Sequence, residues 1–127
     1  MERKIINTTN SPAPIGPYNQ AVMAGNMFFT SGQIAINSKT EELVTDNIKD
    51  ETKQVMENLK AVLNSADLNF TNVVKTSIFI TSMDDFKDVN EVYGSYFDKG
   101  HEPARETVEV AKLPAGVNIE ISMIAIN

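Results

Sequence analysis

Residues 101–127, HEPARETVEVAKLPAGVNIEISMIAIN, decide the fold. In the second half of this stretch Ile119, Ile121, Met123 and Ala125 alternate with Glu120, Ser122, Ile124 and Ile126, the period of a β-strand with one buried face. Glu120 is the odd member, because a carboxylate in mid-strand among β-branched residues must be paired, solvated or protonated. In the first half, Pro103 and Ala104 precede Arg105, and Val108 and Val110 follow at strand spacing. This reads as a half-buried strand with Arg105 on the face opposite the valines. Arg105 is one of two arginines, the other being Arg3 in the N-terminal tail, against nine lysines. Its planar fork fits a carboxylate in a way lysine cannot copy. Taken alone it is either such a clamp or half of a surface salt bridge to one of 17 acidic residues.

Upstream, Lys4 to Asn7 form a candidate strand, followed by Ser11-Pro12-Ala13-Pro14-Ile15-Gly16-Pro17, which excludes both helix and ladder. Tyr18 closes this loop, which is either a linker or a stiffened binding loop that holds an aromatic hydroxyl in place. Ala21–Ala24 and Met27–Ser31 flank Gly25-Asn26, a hairpin signal. The second of these strands runs into Ser31-Gly32, where small residues let a ligand approach the backbone or simply end the strand. Caps around Thr45–Asn47 start a helix in which Ile48, Val55, Met56, Leu59, Val62, Leu63 and Ala66 form one face. Val73–Ile80 follows as a strand with Val74, Ile78 and Ile80 on one side. A second helix, capped at Ser82 and expected to run to about Asp98, carries the stripe Phe86, Val89, Tyr93, Tyr96 and Phe97 with Asn90 among them. An amide there is either bonded to backbone or part of a ligand cleft.

The 127 residues suit one domain, residues 1–127, with 42% hydrophobic and 22% charged content. The net charge of -6 would repel a phosphate backbone, so nucleic acid is an improbable partner. No stretch can span a bilayer and no signal-peptide pattern is present, which places the protein in the cytoplasm without a membrane partner. Without cysteine, and with His101 as the single histidine, thiol chemistry and the usual zinc sites have no ligands, so no metal is expected. The element order is strand, hairpin, helix, strand, helix, strand, strand. Two helices cover one sheet face, and the other, exposing residues such as Phe79 or Val73, calls for cover by further subunits.

The segments SPAPIGPYNQAV, MFFTSGQIAIN and PARETVEVAKLPAGVNIEI, in this order across the chain, closely resemble the RidA/YjgF reactive-intermediate deaminase family. The resemblance implies an α+β fold of the chorismate-mutase-like kind, with a mixed sheet, two helices packed on one face and the last strand inserted between earlier ones. It also implies a homotrimer with clefts between subunits. Carried over residue by residue, the carboxylate clamp falls on Arg105 and the water-positioning acid on Glu120. Tyr18, Ser31, Gly32, Phe86, Asn90 and Thr107 fall on cleft positions. Two departures stand out: Glu106 replaces a usually small residue, and Thr107 replaces a cysteine found in some members.

The activity so implied is cofactor-free hydrolysis of short 2-imino acids (2-iminobutanoate, 2-iminopropanoate) to 2-oxo acids and ammonia. Its rivals are a trimer that binds 2-oxo acids without turnover, a chaperone-like regulator, and a translation-inhibiting endoribonuclease. The last fits poorly with an acidic chain that has one histidine. A chorismate mutase reading from fold alone is disfavoured, since a dicarboxylate substrate calls for more than one internal cation.

Overall fold

The computed structural model describes residues 2–127. Strands β1 (Arg3–Ile6), β2 (Ala21–Ala24), β3 (Met27–Thr30), β4 (Val73–Ile80), β5 (Ala104–Glu109) and β6 (Ile119–Ile126) form one mixed sheet in the order β1-β2-β3-β6-β4-β5. The last strand is therefore inserted between β3 and β4, antiparallel to both, and only β4 and β5 run parallel. Helices α1 (Ile48–Ser65) and α2 (Phe86–Gly94) occupy the connections on either side of β4. The fold is α+β, as the family resemblance implies.

Helix α1 begins at Asn47, whose side chain accepts the Asp50 N–H at 2.9 Å and satisfies one of the unpaired donors of the first turn. It ends where Asp67 enters the left-handed region at φ 58°, with Leu68 N–H donating to Leu63 O and Asp67 N–H to Asn64 O, both at 3.0 Å. This is a Schellman-type cap with aspartate where glycine is usual. Between these caps Val55, Met56, Leu59, Val62 and Leu63 are fully buried. They share the core with Phe28 of β3, Ile78 and Ile80 of β4, and Ile119, Ile121 and Met123 of β6. The alternation read from the last strand is realised, since its odd-numbered residues Ile119 to Ala125 are all buried.

Some expectations are corrected. Val74 does not share a side with Ile78 and Ile80: a register shift between Val73 and Lys75 turns Val74 outward and Val73 inward. Such a bulge defeats a period-two reading of the strand's first residues. Val73 thus belongs to the core, not to the bare face. The second helix stops at Gly94 instead of Asp98, after a 3-10 turn at Met83–Asp85 that Ser82 caps. Tyr96 and Phe97 lie beyond it and pack edge-on against Phe70 at 5.4 Å. In β5 the valines are not the inward side, for Val108 is 41% exposed.

The loop before β2 is ordered by Gln20, which is buried. Its Oε1 accepts the Thr8 N–H at 2.6 Å, and its Nε2 donates to the carbonyls of Thr8, Ser11 and Pro12 at 3.0, 3.2 and 2.7 Å. A hub of this kind replaces the ladder that the prolines cannot make. The sheet face away from the helices is uncovered within the chain. Ile5, Met27, Phe29 and Val108 are all exposed on it.

Candidate active site

The residues singled out in the sequence fall into two clusters on opposite faces of the sheet. In parallel pairing Arg105 lies beside Thr76 and Thr107 beside Ile78, and both of those β4 residues face the helices. Glu120 lies beside Phe79, one residue out of phase with the buried side of β6, and so faces away from the helices. Arg105 and Glu120 thus lie on opposite faces of the sheet within the chain.

The first cluster is built on β5 and α2. The Arg105 guanidinium carbon stands 5.1 Å from the Tyr93 ring centre and 5.7 Å from that of Phe86. Phe86 and Tyr93 are seven residues apart, two helical turns, so they flank the guanidinium from one side of α2. The Tyr93 hydroxyl donates to Thr76 Oγ1 at 2.9 Å. Burial raises the Tyr93 phenol above its ordinary pKa, with the Thr76 bond working in the other direction, so the ring stays neutral beside the cation. Among the described residues Arg105 takes part in no ion pair or side-chain hydrogen bond, which removes the surface salt-bridge reading. Asn90 Oδ1 and Thr107 Oγ1 are buried without any hydrogen-bond partner. Buried polar atoms are nearly always paired, so two orphans on the same pair of elements as a free guanidinium point to groups supplied from outside the chain.

The second cluster lines a hollow of about 280 Å³ formed by Ile15, Tyr18, Ser31, Gly32, Ile34, Pro114 and Glu120. Strand β3 ends at Thr30, and the chain reconnects to β6 only at Gln33, through reciprocal bonds with Ile121 of 2.8 and 3.1 Å. The break is fixed by Ser31, whose N–H donates to Gln20 O at 2.9 Å and whose hydroxyl donates to Asn19 O at 2.5 Å. Gly32 sits in this break under the Glu120 side chain. A Cβ at Gly32 would lie 2.6 Å from Glu120 Cδ and Oε2, so no larger residue fits without moving the carboxyl group. Burial raises the Glu120 pKa above its ordinary value. Tyr18 folds back over the proline loop, its hydroxyl accepting the Ile15 N–H at 3.1 Å.

Every residue carried over by resemblance therefore lies in one of the two clusters: Arg105, Phe86, Asn90 and Thr107 in the first, Tyr18, Ser31, Gly32 and Glu120 in the second. Tyr93 and Pro114 were not foreseen as site residues, although the helical spacing of Tyr93 from Phe86 and Asn90 carries the signal. Glu106 faces away from Arg105, as strand geometry requires, and is engaged by Lys75 and Ser77, which hold its carboxyl below the usual glutamate range, Lys75 the more strongly. Its charge thus does not oppose an anion at Arg105. His101 lies in a separate groove with Phe70, Thr71, Tyr96, Phe97 and Asp98. Among the described residues there is no group of three or more acidic or histidine side chains that could hold a metal ion. No helix among them is long and apolar enough to cross a membrane.

Comparison with known proteins identifies the family. A family model described as Endoribonuclease L-PSP matches residues 8–127. A 2-iminobutanoate/2-iminopropanoate deaminase of Mus musculus is 44% identical over 124 residues, covering 98% of this chain and 91% of that one. Among solved structures, a putative endoribonuclease from Thermotoga maritima superposes with a TM-score of 0.95 at 50% identity, covering 100% of this chain and 98% of that one. TdcF of E. coli, solved with bound serine, superposes with a TM-score of 0.92 at 41% identity and covers 98% of each chain. The chain belongs to the RidA/YjgF family, the group described by the Endoribonuclease L-PSP model.

Proposed function

We propose that this chain is a hydrolytic deaminase of short 2-imino acids, acting as a homotrimer whose clefts join the Arg105 cluster of one copy to the Glu120 cluster of the next. The observation that carries this reading is the division itself. A guanidinium with no protein anion and a desolvated carboxyl group occupy opposite faces of one sheet, so they can serve one substrate only between copies. The exposed Ile5, Met27, Phe29 and Val108 on the uncovered face supply apolar surface for that assembly.

In the joined cleft Arg105 binds the substrate carboxylate through paired charge-assisted hydrogen bonds, and the Phe86 and Tyr93 rings fix the plane of the fork. Holding the carboxylate places C2 opposite Glu120. The ionised Glu120 takes a proton from water as the oxygen bonds to C2 and the C=N π pair moves to nitrogen. The tetrahedral aminoalcohol then takes the Glu120 proton on nitrogen, the C–N bond breaks with its electron pair leaving on ammonia, and the hydroxyl gives its proton back to Glu120 as its oxygen becomes the carbonyl of the 2-oxo acid. A protonated imine carbon is already electrophilic, so positioning is most of the task and no cofactor is called for. Asn90 Oδ1 and Thr107 Oγ1 provide partners for the substrate's remaining polar groups.

The test couples the purified protein to threonine dehydratase in the presence of semicarbazide. Faster release of 2-oxobutanoate with less trapped imine is expected; an unchanged ratio of the two overturns the reading. Gly32→Ala is expected to lower kcat by at least about tenfold, because the new methyl group displaces the Glu120 carboxyl. Affinity for 2-oxobutanoate, read by calorimetry, should change little, since the Arg105 cluster is untouched. Endoribonuclease activity, which the family description names, is not favoured. The joined cleft offers one cation per site, and His101 lies in a different groove.

A further inference from the structure

Glu51 is a carboxylate with no exposure to solvent, in the first turn of α1. It belongs to no ion pair among the described residues. Instead, Oε2 accepts the backbone N–H of Asn118 at 2.7 Å and that of Ile119 at 3.2 Å, while Oε1 accepts the Asn118 side-chain amide at 2.7 Å. Burying an unpaired carboxylate is costly, and a leucine at this point of the helix would pack against the same core. What the carboxylate adds is a fixed backbone at the start of β6.

That start is otherwise held by its antiparallel pairing with the end of β4, Ile119 opposite Ile80. The preceding turn, Pro114–Gly116, holds two successive residues in the left-handed region, Ala115 at φ 58° and Gly116 at φ 69°, and closes only through bonds of 3.1 and 3.3 Å. Asn118 O is reached by Thr81 N–H at 3.1 Å. Immediately after these residues comes Glu120, and the turn's first residue is Pro114, both lining the hollow. We infer that the buried Glu51 and the half-buried Asn118 form a positioning pair that sets the Glu120 half of the cleft and leaves the Arg105 half alone. This rests on the deaminase reading for its kinetic consequence, but the geometric coupling does not.

The pair can be broken and remade at nearly constant volume. Glu51→Gln keeps one acceptor for the backbone N–H groups and presents an amide donor that Asn118 meets by turning its own amide over, whereas Asn118→Asp turns a carboxylate toward Glu51. The double variant Glu51→Gln with Asn118→Asp restores a donor facing an acceptor. Asn118→Asp alone is expected to lower kcat by about tenfold or more, and Glu51→Gln alone by less, with KM and 2-oxobutanoate affinity near wild type. The double variant should recover most of that loss. In the same proteins the side-chain carboxyl carbon resonance of Glu120 should shift in Asn118→Asp and return in the double, while the Arg105 Nε resonance stays in place.

An Asn118→Asp protein with wild-type kcat and an unmoved Glu120 resonance would overturn the inference. So would singles that lose turnover, oxo-acid affinity and thermal stability together without recovery in the double, the pattern of a merely structural pair. Absence of turnover in the wild type refutes the deaminase reading, and the Glu120 resonance still decides the positioning claim.

Discussion

Arg105→Ala is expected to abolish most carboxylate binding and turnover while leaving the fold intact. The guanidinium has no protein anion to abandon, so its removal strands no buried partner and should scarcely alter stability. What is lost is the substrate's only full positive charge in the cluster. Removing one partner of a desolvated charge pair costs about 2–5 kcal/mol, which corresponds to a fall in kcat/KM of roughly 30- to 4000-fold. Arg105→Lys separates charge from geometry. The ammonium keeps the charge but cannot bond both carboxylate oxygens in one plane or lie flat between Phe86 and Tyr93, so this variant should fall well below wild type, yet above alanine. Calorimetric titration with 2-oxobutanoate beside steady-state kinetics checks both. Wild-type affinity in Arg105→Ala would remove Arg105 from the site.

Much of this molecule is legible in its sequence, and the parts that are not have definite causes. The alternation in Ile119–Ala125 and the helical repeat of Val55–Leu63 each depend on one buried face, and both survive folding unchanged. Val74 misleads because a bulge adds a residue that periodicity cannot see. The valines of β5 mislead for a different reason. On an edge strand paired on one side only, the face toward α2 is occupied by Arg105 and Thr107, beside aromatic rings and unbonded polar atoms, while the apolar Val108 is turned to the uncovered face. Hydrophobicity alone does not say which face of a strand turns toward the core of the chain. The same ambiguity hid the opposition of Arg105 and Glu120, since deciding which face each occupies requires knowing that β6 lies between β3 and β4. Glu51 was legible in principle. It stands three residues after Ile48 and four before Val55, on the apolar stripe of α1, where a carboxylate has to find donors.

Glu120→Gln should be nearly inert in turnover while still binding 2-oxobutanoate, the converse of Arg105→Ala. Removing a positioned acid–base group costs about 10²- to 10⁴-fold in rate, and the amide keeps the volume that Gly32 accommodates. The pH dependence has a fixed sign. Burial raises the Glu120 pKa, and the ionised form is the base, so the wild-type rate rises with pH through a limb displaced above the ordinary glutamate range; the glutamine variant lacks that limb. Stability moves the other way. Between the unfolded pKa and the raised folded one the native state binds more protons, so wild-type stability falls as pH rises through that window, a slope absent from the variant. The strongest consequence comes from mixing. If each cleft takes Arg105 from one copy and Glu120 from its neighbour, unfolding and refolding the two inactive variants together in equal amounts should leave about a quarter of the clefts with both groups intact, and activity should reappear to that extent. If both groups of a cleft came from one chain, mixing would restore nothing. Activity recovered on co-refolding, but not on simple addition of folded variants that do not exchange subunits, is the result expected of a site that one chain cannot complete.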